Sequence, residues 1–214
     1  MNKILILGAG KFGRKAVAKF SRNERSRVTV VDNDPARCAT VAGEGVTALC
    51  ADGISHLADS LQNPDPPDWV IPAIPAHVAF EWLRATMPGG ADLEVLPVPG
   101  QVRDRMPNPM RGDAEQVYTS YADFICPDDC PEPADICSFT GRPRKGILFK
   151  TLARIQYENY TSVVVRSRQL APGLGGYRPG DLLAAKHAVL SAQGPVLFST
   201  ACKCHGVMQA FKFS

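Results

Sequence analysis

The chain opens on an unbroken apolar run, Ile4-Leu5-Ile6-Leu7, and repeats it as Val28-Thr29-Val30-Val31. Short runs without polar alternation suit strands covered on both faces, as in a parallel sheet between helix layers. Between them, from residue 11 to about 22, Phe12, Ala16, Val17 and Phe20 recur at helical spacing. The alternation continues. Asp34-Pro35 reads as an N-cap followed by Pro in the first helical position. Residues 46–50 predict a third strand, 54–61 a helix stopped by Asn63-Pro64, and Trp69-Val70-Ile71 a fourth strand. A helix is predicted over 76–87, stopped by Pro88-Gly89-Gly90, and a fifth strand over 93–98. Strands alternating with short helices predict an α/β fold, a doubly wound parallel sheet of Rossmann type, over residues 1–100. Its ligand is expected at the carboxyl ends of the strands.

After Pro97 the pattern breaks. Residues 97–145 are rich in Pro and charge and read as a loop-rich insertion without a core of its own. Regular signals return at 162–168 (strand), 171–180 (Gly/Pro loop), 181–193 (helix with Asp181 as N-cap), 196–200 and 207–213 (strands). The expected organisation is a Rossmann domain over 1–100, a Cys-rich loop over 101–146, and a small C-terminal α/β region reaching 214. That region could extend the first sheet or stand alone.

Composition narrows the class. The chain has 214 residues, 45% of them hydrophobic, and a net charge of +3. This supports a real core and gives no electrostatic case for nucleic acid, which is not expected as a partner. No apolar run reaches the roughly 20 residues of a membrane span. No signal peptide is expected, since a strand begins after one Lys, and the chain reads as cytoplasmic. Seven Cys in a reducing compartment should not form a disulfide framework.

The first candidate site is Gly8-Ala9-Gly10-Lys11-Phe12-Gly13, directly after the first strand, with Asp32 closing the second nineteen residues beyond Gly13. Gly8 suits a tight turn, Gly10 a backbone approach to pyrophosphate, and Gly13 close helix packing. The helix N-terminus offers N–H groups and a positive dipole end to phosphate. Asp32 is placed to bind an adenosine ribose and favours NAD over NADP, because it would repel a 2′-phosphate. The segment Ile6-Leu7-Gly8-Ala9-Gly10-Lys11-Phe12-Gly13, with Val28-Thr29-Val30-Val31-Asp32-Asn33-Asp34-Pro35, Gly45-Val46 and Ala51-Asp52-Gly53, resembles the TrkA-N-like Rossmann domain of bacterial potassium-uptake regulators. The resemblance covers residues 1–70. It implies NAD(H) or adenine nucleotide at the glycine turn, with Asp32 and Asn33 at the ribose and Asp52 near the adenine. It also implies a homodimer. Beyond the fourth strand, Ile71-Pro72-Ala73-Ile74-Pro75-Ala76-His77 resembles the loop of amino-acid and sugar-acid dehydrogenases. There Ile74 would pass near a nicotinamide, and His77 could donate to a substrate carbonyl or act as acid or base.

The second candidate is Cys126-Pro-Asp-Asp-Cys130-Pro with Cys137, joined by Cys202-Lys-Cys204-His205. Thiols serving as small hydrophobes would scatter over helices and strands, whereas these cluster on irregular segments. Cys126, Cys130 and Cys137, with Cys202 or Cys204, could ligate an iron–sulfur cluster or a structural zinc. A thiol redox pair or an incidental grouping remain alternatives. Cys38 and Cys50 read as core or near-surface thiols. Arg142, Arg144 and Lys145 read as a solvated basic loop. Arg166 and Arg168, on one strand face, could bind a small anionic substrate. Two functions follow: an NAD(P)-dependent oxidoreductase or electron-transfer component with a Cys-ligated metal, or a non-catalytic nucleotide-sensing regulator with structural zinc or redox-sensing cysteines.

Overall fold

The computed structural model describes residues 1–88 and 93–213. The chain forms two compact units, one of residues 1–86 with 174–180, the other of 87–173 with 181–214. The Gly89-Gly90 part of the helix stop signal lies outside the described residues.

In the first unit, β1 (Asn2–Leu7), β2 (Ser26–Asp32), β3 (Val46–Cys50) and β4 (Trp69–Pro72) form a sheet of order β3-β2-β1-β4. All three pairings are parallel. Ile4, Leu5, Ile6 and Leu7 are buried in succession, as expected of a strand with helices on both faces. The intervening helices are α1 (Lys11–Phe20), α2 (Pro35–Val41), α3 (Gly53–Ser60) and α4 (Val78–Ala85). α1 buries Gly13 and Ala16, while Phe12 is 40% exposed under the Lys11 ammonium. Small residues, not the aromatic one, make its packing face, because the helix must approach the glycine turn closely. Asp34 caps α2 as expected, its Oδ1 accepting from the N–H of Ala36 at 2.9 Å.

The second unit corrects three expectations. The strand expected over 93–98 as the fifth of the first sheet is β5 (Leu93–Leu96), and it pairs antiparallel with β12 (His205–Phe213). A short apolar segment fixes a strand but not its partner. Second, the stretch after Pro97 does build core. Val98, Val102 of α5 (Gly100–Arg103), Met106 and Val117 of β7 (Val117–Ser120) pack with Leu148 and Leu152 of α6 (Leu148–Ala153). Leu197, Met208 and Ala210 complete that cluster. The stretch's longest irregular run is residues 121–147, interrupted only by an isolated bridge between Ile136 and Pro143. Third, the strand expected over 162–168 breaks at Ser167 into β8 (Thr161–Arg166) and β9 (Arg168–Ala171).

The second sheet is built on β12. One edge pairs antiparallel with β11 (Val196–Ala201), which runs parallel to β8. The other edge is shared: its first half pairs with β7 and its second with β5. β6 (Met110–Arg111) adds to β7. The long helix α7 (Pro179–Leu190) precedes β11 and starts two residues before the expected Asp181. Asp181 lies in its first turn, bound to Arg168. Leu182, Ala185 and Val189 are its buried stripe.

Candidate functional site

The glycine turn is explained by what a side chain would meet. A Cβ on Gly13 would stand 1.9 Å from the Gly8 carbonyl oxygen, so α1 could not start there with any other residue. Gly8 has φ +104°, and its Cβ would stand 2.7 Å from the Ala73 oxygen and 2.8 Å from Ile74 Cγ2. Ile74 therefore lies against the turn in this unit. Gly10 is different, since a Cβ there meets nothing within 4 Å. The protein's packing does not require glycine at position 10, and the space beside it is open.

Gly10 is also the N-cap of α1, with no side-chain cap, so no side chain of its own covers the helix's first N–H groups. Asp32 is 5% exposed and holds the turn in place. Its Oδ2 accepts from the N–H of Ala9 at 2.7 Å and its Oδ1 from the N–H of Asp34 at 2.9 Å. A carboxylate offers about four acceptor sites, so capacity remains for hydroxyl donors. An open cradle at Gly10, an uncapped helix start and a carboxylate at the end of β2 together fit a dinucleotide. Lys11, Phe12 and Asn33 are exposed around it.

Asp52 does a second job. It is the N-cap of α3, its Oδ1 accepting from the N–H of Ser55 at 2.7 Å. That bond holds its carboxyl below the usual carboxylate range. Asp52→Ala is expected to cost about 1 kcal/mol, or a Tm decrease of about 2–4 °C for a chain of this size. A carboxyl held lower in the folded state contributes above its unfolded value of about 4 and loses the contribution as pH falls through the folded value. The difference between wild type and variant in thermal melts should thus be full at pH 7 and vanish in strong acid. A difference that persists at low pH would show that the charged cap is not its origin.

His77 is 3% exposed, precedes α4 and stacks on Phe80 with ring centroids 6.0 Å apart. Its carbonyl accepts the N–H groups of Phe80 and Glu81. Arg166 and Arg168 each have a partner within the second unit. The Arg166 guanidinium lies 4.4 Å from the Phe149 ring centroid, and Arg168 pairs with Asp181. The break at Ser167 separates them.

The cysteines of the second unit are gathered from afar. The turn of residues 202–204 is clasped by the segments flanking the irregular loop: Tyr121 N–H donates to Cys204 O, Leu148 N–H to Lys203 O and Phe149 N–H to Cys202 O. From within the loop, Glu132 Oε1 accepts from Lys203 N–H at 2.7 Å. Cys130 Sγ lies 4.0 Å from Ser138 Oγ, beside Cys137. Burial raises the Cys126 thiol first, and the neighbouring thiols of Cys130, Cys204 and Cys137 raise it further. Four of the five candidate sulfurs thus share a neighbourhood. Among the described residues, however, no three His, Cys, Asp or Glu side chains are grouped closely enough to hold a metal ion.

Two details distinguish the sulfurs. Hydrogen bonds from the backbone and side chain of Thr140, then the backbone of Phe139, hold the Cys137 thiol below its ordinary value. Cys202 Sγ accepts from the N–H groups of Cys204 and His205, both at 3.3 Å, but burial and Glu132 push its thiol up to about 12. Arg144, expected in a solvated loop, is half-buried instead. Its guanidinium donates to Cys204 Sγ and to Pro133 O. Sequence gave no signal for that contact, which joins positions 60 residues apart.

The glycine turn, its acid and the four-stranded parallel sheet define a nucleotide-binding domain of Rossmann class, and residues 4–76 match the TrkA-N domain family. Residues 79–214 match AF_1314_C, described as "Uncharacterized protein, C-terminal domain", and the chain belongs to that family. It is 30% identical over 223 aligned positions to an uncharacterized protein of Archaeoglobus fulgidus, covering 97% of this chain and 98% of that one. No solved structure matches. Among the described residues no helix is long and apolar enough to cross a membrane.

Proposed function

We propose that this is an NAD(H)-binding redox protein, an oxidoreductase or electron-transfer component, whose second unit carries a metal centre on cysteine thiolates. The observation that carries the nucleotide half is the open space at Gly10. Gly8, Gly10 and Gly13 shape the pyrophosphate cradle, Lys11 and Phe12 border it, and Asp32 with Asn33 faces the ribose. Asp32 makes NAD the preferred form over NADP. Ile74 flanks the nicotinamide side, and His77 is the candidate acid or base. When bound, NAD(H) supplies hydride transfer; the chain's own part is to hold it and exclude water.

The metal half rests on the Cys126 thiol being raised by its neighbours Cys130, Cys204 and Cys137, although among the described residues these side chains do not stand close enough together to hold an ion. These four are the favoured ligands for an iron–sulfur cluster or zinc, and Cys202 is left as a structural acceptor facing Glu132. Four thiolates around Zn2+ leave a net double negative charge, half of which Arg144 would offset. Proline after Cys126 and Cys130 stiffens the loop, and the N–H groups at Cys137 stabilise its thiolate.

One observation favours a second reading. Arg144 already places a positive charge on Cys204 Sγ, where an ion's charge would act. Thiols so held would suit a non-catalytic sensor of NAD or adenine nucleotide with redox-active cysteines. The deciding experiment is metal and acid-labile sulfide content with a visible spectrum, on protein purified without oxygen, beside calorimetric NAD(H) titration. Iron, sulfide and a chromophore bleached by reduction support the redox protein. Colourless protein that binds NAD(H) without turnover overturns it in favour of the sensor.

A further inference from the structure

Cys38 and Cys50 lie at the nucleotide end of the first sheet, apart from the cysteine loop. Cys50 closes β3 and stands in register with Asp32 on β2. Cys38 lies in α2, one turn from the Asp34 cap. Its Sγ donates to the carbonyl oxygens of Asp32 at 3.2 Å and Leu49 at 3.4 Å. Cys50 Sγ lies 3.8 Å from Asn33 O. Both sulfurs therefore hang over the same two peptide stretches, 32–33 and 49–50, and Cys50 is near enough to add to the upward push that burial gives the Cys38 thiol. Both are free; Cys38 is buried and Cys50 is exposed.

We propose that Cys38 and Cys50 form a modifiable dithiol whose oxidation to a disulfide weakens nucleotide binding at the glycine turn. This rests on the nucleotide site proposed above. The co-reactant is a small-molecule disulfide. The exposed Cys50 thiolate attacks one of its sulfurs, breaking the S–S bond and releasing one thiolate. Cys38, losing its proton to water, then attacks Cys50 Sγ and releases the second. Two cysteine thiols and one small disulfide become one protein disulfide and two small thiols, with two electrons passing to the small molecule. The order follows from exposure, since the buried partner cannot meet the oxidant first.

The coupling follows from Asp32. Its carbonyl accepts from Cys38 S–H and, at 3.1 Å, from Ala51 N–H. Its carboxylate holds Ala9 and Asp34. Oxidation removes the S–H donor and ties α2 to the end of β3 across the segment that would carry the ribose. That strains the placement of Asp32 and Asn33. By linkage, NAD(H) opposes the oxidation by the same factor.

The test treats the full chain with oxidised glutathione, with and without NAD(H), and maps disulfides by peptide mass. NAD(H) affinity is measured by calorimetry for the reduced, oxidised and re-reduced chain and for the treated Cys50→Ser variant. The expected result is a 38–50 linked peptide, an affinity loss of about tenfold, recovery with reductant, and no loss in Cys50→Ser. NAD(H) should shift the glutathione ratio needed for half-oxidation by about the same factor. Two results overturn the proposal: Cys38 and Cys50 never linked to each other, or linked with affinity unchanged. Failure of the reduced chain to bind NAD(H) removes the nucleotide reading and the coupling together, while the peptide map still decides whether the dithiol forms.

Discussion

Replacing Gly10 with Val is expected to abolish NAD(H) binding and leave the fold intact. A Cβ at Gly10 meets no protein atom within 4 Å, so the branched side chain costs the apo chain little in packing. It would instead fill the space that a pyrophosphate must enter to reach the N–H groups at the start of α1. The affinity loss should be about 100-fold or more, close to 2.8 kcal/mol at 1.4 kcal/mol per decade. Thermal melting and circular dichroism should match the wild type. Gly13→Ala is the contrasting control. Its methyl would lie 1.9 Å from the Gly8 oxygen, so α1 must move from β1 and the first unit should lose stability outright. If Gly10→Val retains wild-type affinity in calorimetry, the nucleotide does not bind over the turn.

The first four strands were legible because each rested on local information. Unbroken apolar runs marked a two-sided sheet, and the glycines marked a turn whose reasons are steric and close in sequence. The glycine spacing also marked the turn whose steric need for glycine the structure explains contact by contact at Gly8 and Gly13. What failed was non-local. The run at 93–96 predicts a strand, but whether it pairs with β4 or β12 depends on residues over a hundred positions away. Val98, Val102 and Met106 recur at helical spacing, but among prolines and charges over too few turns to mark a core helix, and Val117 falls outside that run. Their common core emerges only with α6 and β12 in place. The cysteine loop was legible as a cluster, but the alternative between Cys202 and Cys204 was not. A two-residue step along the turn sends one sulfur towards Glu132 and the other towards Arg144, and sequence spacing carries no such direction. Asp52 shows a different limit: a cap and a ligand contact demand the same residue type at the same place, and only geometry reveals the cap.

Changing Cys204 to Ser is expected to strip the metal from protein purified without oxygen, and Cys130→Ser to do the same. Each removes one of the four proposed thiolate ligands, and a hydroxyl neither ionises at neutral pH nor matches the Zn–S or Fe–S bond. Cys202→Ser should retain metal. Its sulfur accepts two backbone N–H groups in the turn, a role that a serine oxygen can fill. The three variants share one short segment or its facing loop, so a general disturbance would affect them alike, whereas a ligand set separates them. Neither metal-free variant should lose NAD(H) affinity, because the glycine turn and Asp32 belong to a unit with its own sheet and core. The readouts are metal per chain by mass spectrometry and NAD(H) titration on the same preparations. Full metal in Cys204→Ser, with loss in Cys202→Ser, would exchange the two sulfurs in the ligand set. Wild-type metal content in all three would remove Cys130, Cys202 and Cys204 as ligands, and no metal in the wild type either would leave Arg144 and its thiols as a metal-free redox site.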